Sequence, residues 1–68
     1  MFSIKVGVLP GSVSEFIFEA PTSVKDIFAK AGVATKDKLL KLDGRVVELT
    51  TMVSSGNYLV ATAQVKGN

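Results

Sequence analysis

Two of the side chains that most often carry catalysis are missing from this sequence. Its 68 residues contain neither cysteine nor histidine, which removes thiolate chemistry, the commonest general base and the usual nitrogen and sulfur ligands of metals. The serines therefore have no histidine to activate them, and we interpret them as turn residues. On these grounds we expect a protein that is not an enzyme and that holds no cofactor or metal.

Carboxylates offer the remaining route to acid–base chemistry. Glu15 and Glu19 are four residues apart in an extended segment, on the side opposite Phe16 and Phe18. A catalytic carboxylate pair needs a cleft that raises the pKa of one member, and a chain this short has little room for one. We therefore interpret the pair as a solvated face. The glycines match neither phosphate-binding spacing, GxxxxGK[ST] or GxGxxG.

The charge distribution does not favour nucleic acid as the partner. Eight lysine and arginine residues against six aspartate and glutamate residues give a net charge of +2. The positive residues are spread along the chain, and the mild cluster at residues 36–41 contains Asp37 and is followed by Asp43. A strong nucleic-acid binder concentrates its positive charge on one face.

The sequence also carries an expectation about size and location. No apolar run approaches the ~20 residues of a membrane-spanning helix, and the lack of cysteine fits a reducing compartment. We predict a small soluble domain, residues 1–68, that is cytoplasmic and has no membrane partner.

The first half of the chain predicts a hairpin followed by a helix. Residues 2–8 alternate between apolar and polar, Pro10 and Gly11 provide a turn, and residues 13–20 resume the alternation. A helix of about ten residues follows, with a weak capping box at its start, a glycine at its end and one apolar face: Ser23, Asp26 and Gly32 at the ends, and Val24, Ile27, Phe28 and Ala31 on the face.

The second half predicts another hairpin and a final strand. Residues 38–42 and 45–49 flank Asp43 and Gly44, a strong type I′ turn signal. Residues 50–55 form a connection, in which we expect Met52 and Val53 to tuck under the sheet. A turn at Gly56 then leads to a last strand at residues 58–65.

Two hairpins around one helix predict a single arrangement. The sheet closes into one layer only if the first and last strands run side by side in its middle, with the helix laid across one face. We therefore predict an α+β fold of the β-grasp (ubiquitin-like) type, a roll with a mixed sheet of four or five strands and one helix packed across it.

Three segments resemble the ThiS and MoaD sulfur-carrier family, which belongs to the ubiquitin-like β-grasp proteins. Residues 23–28 (SVKDIF) are similar to the helix start of that family, residues 42–47 (LDGRVV) resemble its short hairpin, and residues 56–60 (GNYLV) resemble the turn before its last strand. The resemblance covers the whole chain and implies the β-grasp fold.

The end of the sequence departs from that family. Sulfur carriers end in Gly-Gly, whose terminal carboxylate is adenylated and then thiolated, whereas this sequence ends in Lys66, Gly67 and Asn68. Asn68 should hinder an adenylation channel shaped for glycine. We therefore carry over the fold and keep a divergent sulfur carrier as an alternative function.

A second alternative is a DNA-binding homodimer. Residues 21–49 resemble the swapped-hairpin fold of AbrB-type transcription regulators, which are intertwined homodimers that grip DNA with basic loops. This interpretation leaves the strand pattern of residues 50–65 unexplained, and it predicts a denser basic face than the sequence shows.

The preferred hypothesis is a non-enzymatic binding or adaptor module with a protein partner. In a β-grasp sheet the second strand lies at an edge, where apolar side chains invite strand addition by a partner or a second copy. Glu15 and Glu19 are either part of that surface or guard charges that prevent pairing. The predicted partner-binding residues on the edge strand and the exposed sheet face are Val13, Ile17, Lys5, Val60 and Thr62, and Lys66, Gly67 and Asn68 form a C-terminal tail.

Overall fold

The structure, a computed structural model, describes residues 1–63. It contains seven strands and one helix in this part of the chain: β1 (Phe2–Leu9), β2 (Val13–Phe18), β3 (Thr22–Ser23), α1 (Val24–Ala31), β4 (Lys38–Leu42), β5 (Arg45–Val46), β6 (Met52–Val53) and β7 (Tyr58–Ala63). Within these residues, no helix combines the length and apolar character that crossing a membrane requires. The end of the last predicted strand and the predicted tail, Lys66, Gly67 and Asn68, lie outside the described residues.

Five strands form one mixed sheet in the order β2-β1-β7-β4-β5. The two central strands, β1 and β7, run parallel, with Val6 opposite Leu59. The other neighbours pair antiparallel. The prediction that the opening and closing segments are neighbours in the middle of the sheet is therefore confirmed, and the chain forms a small α+β domain.

The helix begins and ends at the residues that the sequence indicated. The Ser23 hydroxyl accepts a hydrogen bond from the Asp26 amide at 3.2 Å, which caps the first turn. Gly32 adopts the left-handed conformation with φ 72°, and its amide donates to the Ala29 carbonyl. Since a helix this short is not stable alone, its packing on the sheet holds it in place, and Val24 and Ile27 are fully buried there.

One face of the sheet and the helix enclose the core. Alternate residues of each strand point to this side, and no buried side chain in the described part of the chain is polar. The Phe2 and Phe18 rings stack with their centroids 5.5 Å apart at one end of the core. We call this side of the sheet the covered face; the ten buried apolar residues of the core are Ile4, Val6, Phe18, Val24, Ile27, Phe28, Leu40, Val53, Leu59 and Ala61.

The segment between β5 and β7 differs from the prediction. A short strand was expected at residues 45–49, but β5 ends at Val46. The following backbone turns instead to the start of the helix, where the Leu49 and Thr51 carbonyls accept hydrogen bonds from the Lys25 and Val24 amides. These two helix amides have no partner inside the helix, so the loop satisfies them.

The expectation for Met52 was wrong, whereas Val53 lies in the core as expected. Residues 52 and 53 form β6, which pairs antiparallel with β3, so that Thr22 lies opposite Val53. Successive residues of a strand point to opposite sides. Val53 is therefore buried, and Met52 is 61% exposed.

Candidate functional site

The candidate surface is the side of the five-stranded sheet that faces away from α1. We call it the open face. It consists of the strand residues that alternate with those of the covered face, and the strand registers align them in rows across the sheet. The central row crosses all five strands and consists of Val13, Gly7, Val60, Lys41 and Val46.

The five predicted partner-binding residues all fall on the open face. On β2, Val13 lies opposite Gly7, and Ile17 lies opposite Ser3. Lys5 is on β1, two residues before Gly7, and its neighbour on β7 is Tyr58. Val60 and Thr62 are on β7, opposite Gly7 and Leu9. The structure thus brings these residues to one side of the sheet, and their binding of a partner stays a prediction.

The sequence did not identify the residues that β4 and β5 add to this surface. Val46 on β5 is 64% exposed, and it lies beside Lys41 in the central row. Leu39 and Leu9 flank Thr62 in the next row. Leu39 and Lys41 alternate along β4 with Leu40 and Leu42, which pack in or against the core. Only the register shows that Leu39 and Lys41 continue the surface of β7.

Charge on the open face is concentrated in the row next to the central one. Glu15, Lys5 and Tyr58 lie side by side on β2, β1 and β7. The Lys5 ammonium is 5.3 Å from the centroid of the Tyr58 ring, within the range of a cation–π contact. This contact holds the lysine over β7 and leaves Glu15 exposed at the edge of the sheet.

A shallow depression of about 190 Å³ lies along this charged row. Ser3, Lys5, Glu15, Asn57 and Tyr58 are among the residues that line it. In residues 1–63, no three carboxylates come close enough together to hold a metal ion.

Asp43 fixes the position of Tyr58. Its carboxylate accepts hydrogen bonds from the Asn57 amide at 3.0 Å and from the Tyr58 amide at 2.8 Å. Its own amide donates to the Tyr58 carbonyl at 2.8 Å. Asp43 and Gly44 both have positive φ, 50° and 86°, which confirms the predicted type I′ turn. The turn residue thus also anchors the start of β7.

Gly7 is the closely packed point of the open face. It is buried, unlike its neighbours Ser3 and Lys5 on the same side of β1. A Cβ atom at Gly7 would lie 2.8 Å from the Val13 Cα and would also collide with the Ser12 carbonyl oxygen. The start of β2 therefore folds closely over β1 only because residue 7 has no side chain.

The two edges of the sheet differ in length. β5 has two residues, whereas β2 has six and pairs on one side only among the described strands. The open-face side chains of β2 are Val13, Glu15 and Ile17, of which Ile17 is 59% exposed. A strand of this length with an unpaired side can accept a further strand.

No protein-family model matches the sequence, and no curated protein matches it at a significant level.

Proposed function

We propose that this chain is a ubiquitin-like β-grasp module that binds a protein partner through its open face and its edge strand β2, without catalysis. The observation that carries the proposal is the exposure of apolar side chains at both ends of one sheet face. Ile17 on β2 is 59% exposed, and Val46 on β5 is 64% exposed. The two side chains lie at opposite edges of the same face, and Val60 on the central strand β7 lies between those edges. Exposed apolar side chains gathered on one face of a small domain mark a candidate interaction site.

The strand order supports the β-grasp assignment. Two hairpins, β1–β2 and β4–β5, flank the helix in the chain, and their sheet is joined through β7 in the middle. The parallel neighbours β1 and β7 come from the two ends of the described chain. One helix lies across one face. These are the features by which a β-grasp roll differs from other small α+β folds.

The composition of the open face favours protein over nucleic acid. Apolar side chains occupy most of its central row, and the charged groups that the described strands place there are Lys5, Lys41 and Glu15. Binding to a phosphate backbone needs several unopposed cations. An apolar surface with a few charges of both signs is typical of protein interfaces.

Two lysine substitutions test the proposal. Ile17→Lys places a charge on the open face, and Met52→Lys places the same charge at an equally exposed apolar residue, 61% against 59%, outside that sheet. The immobilised full chain and both variants are compared for proteins captured from cells of its source, and the affinity of each captured protein is then measured with purified components. We expect Ile17→Lys to weaken binding at least tenfold and Met52→Lys to leave it unchanged.

Other outcomes would replace the proposal. Equal binding by the wild type and Ile17→Lys would exclude the β2 side of the surface. Binding to duplex DNA that falls steeply with salt would favour the DNA-binding homodimer. A thiocarboxylate at the C-terminus of the protein from its source, detected by mass spectrometry, would favour the sulfur carrier.

A further inference from the structure

We infer that β2 accepts an extended peptide segment as a sixth strand, and that this segment carries a basic residue flanked two residues away on each side by apolar residues. The inference rests on the proposed function and specifies the chemistry of the partner. It follows from three properties of β2: its free side, the alternation of its side chains and the sign of its charge.

The free side of β2 provides the backbone for strand addition. β2 is six residues long and pairs with β1 on one side, and no other described strand lies on its outer side. Every second residue of such a strand directs its backbone amide and carbonyl outward. The opposite edge offers fewer outward-facing backbone groups, because β5 has only two residues. A peptide that adds to this sheet therefore gains most of its hydrogen bonds at β2.

The side chains of β2 determine which peptide fits. On the open face they follow the order Val13, Glu15, Ile17, an apolar, an acidic and an apolar position. An added strand places its own alternate residues directly beside them. A lysine or arginine opposite Glu15 and apolar residues opposite Val13 and Ile17 form favourable pairs at all three positions.

Charge argues against a second copy of the chain as the occupant. β2 contains no lysine or arginine, so an antiparallel pair of two β2 strands cannot place a cation opposite Glu15. If the pair is centred on Phe16, Glu15 lies opposite Ile17 of the other copy. If it is centred on Ile17, Glu15 lies opposite Glu19, and two carboxylates repel each other. A basic partner removes this conflict.

The first experiment uses synthetic peptides and the full chain. One peptide carries Val-Thr-Lys-Thr-Val, a second carries Glu in place of Lys, and further peptides carry the first sequence with alternate backbone amides N-methylated, in either phase. Binding is measured by NMR titration of the isotope-labelled protein. We expect the lysine peptide to shift the β2 amides, the glutamate peptide to bind about fivefold more weakly, and at least one N-methylated phase to lose binding. If both N-methylated peptides bind as tightly as the unmethylated lysine peptide, strand addition is overturned.

A charge swap gives the sharper test. Glu15→Lys should reverse the preference, so that the glutamate peptide binds more tightly than the lysine peptide, and Glu15→Gln should abolish the preference. Glu48→Lys, which makes the same charge change at an exposed residue beyond β5, should leave it unchanged. The preference should shrink as salt is raised, because exposed charges are screened. A preference that survives Glu15→Lys in its original direction would overturn the inference.

The two proposals fail in different ways. If Ile17→Lys releases the native partner while Glu15→Lys leaves the peptide preference as it was, the basic-strand inference falls and the proposed function stands. If the peptides follow the charge swap but native partners ignore Ile17→Lys, the edge chemistry is supported and the proposed function falls. A concentration-dependent dimer that Ile17→Lys abolishes, measured by sedimentation, would overturn the basic occupant in favour of a second copy.

Discussion

The covered face and the open face are built from the same strands, but their exposure differs widely. On β1 and β7, the covered-face residues Ile4, Val6 and Leu59 are at most 2% exposed. Tyr58, which directly precedes Leu59 but points to the open face, is 47% exposed. Along each strand, alternate side chains thus point either into the core or to the exposed side of the sheet. Apolar residues on the open face gain little from folding, because water still reaches them.

The two faces also differ in charge. The covered face and the helix bury no polar side chain among the described residues, whereas the open face mixes Lys5, Lys41 and Glu15 with apolar residues. An apolar core gives stability without selecting a partner. A surface with a few fixed charges can select a partner by charge pattern. Three substitutions test whether stability depends on the covered face and partner binding on the open face.

The largest effect is expected on the covered face. Phe28 is 1% exposed in the centre of the core, so Phe28→Ala removes a full aromatic ring and leaves a cavity. We expect a loss of about 3–5 kcal/mol in the free energy of unfolding, measured by urea denaturation followed by circular dichroism. Phe28→Leu, which keeps most of the apolar volume, should cost clearly less. A loss below about 1 kcal/mol for Phe28→Ala would mean that the helix is not the roof of the core.

An intermediate effect on stability is expected at Gly7, which is a buried residue on the otherwise more exposed open face. Gly7 lies on the open face but is buried under the start of β2. Gly7→Ala should cost about 1–3 kcal/mol, because the added methyl group meets backbone atoms of residues 12 and 13. Ser3→Ala, on the same strand and face but exposed, is the matched control and should change stability by less than about 0.5 kcal/mol. Equal stability of the two variants would show that β2 can move away from β1 freely.

The smallest effect on stability is expected at Ile17. Ile17→Thr keeps the β-branched shape that suits a strand and changes a side chain that is 59% exposed. We expect a change of less than about 0.5 kcal/mol in the unfolding free energy, together with weaker binding of the partner captured by the wild type. A large loss of stability would place Ile17 with the residues of the core and remove the distinction between the two faces.

Much of this architecture could be predicted from local patterns. The Ser23 cap, the Gly32 end and the type I′ turn at Asp43 all depend on residues within one turn of each other, and the structure confirms them. The parallel neighbours β1 and β7 were also predictable, because two hairpins and one short helix leave few ways to close a sheet. The five predicted partner-binding residues share a face for the same reason.

The predictions were wrong where the backbone hydrogen-bonds to residues that are distant in the sequence. A short strand was predicted at residues 45–49, but the helix amides of Val24 and Lys25 take the Thr51 and Leu49 carbonyls as their partners, and the strand ends early. Met52 became exposed because β6 pairs with the two residues before the helix. No local pattern indicates either partner.

The sequence by itself determined which side of each main strand is apolar, where the helix begins and ends, and where the tight turns fall, because these properties depend on neighbours a few residues away. Only the tertiary structure decided that Asp43 anchors Tyr58, that Val13 closes over Gly7 and that Val46 extends the open face. The first two depend on packing and hydrogen bonds around the turns, and the extension to Val46 depends on the register that joins β4 to β7. These geometries are set when the sheet assembles around its core.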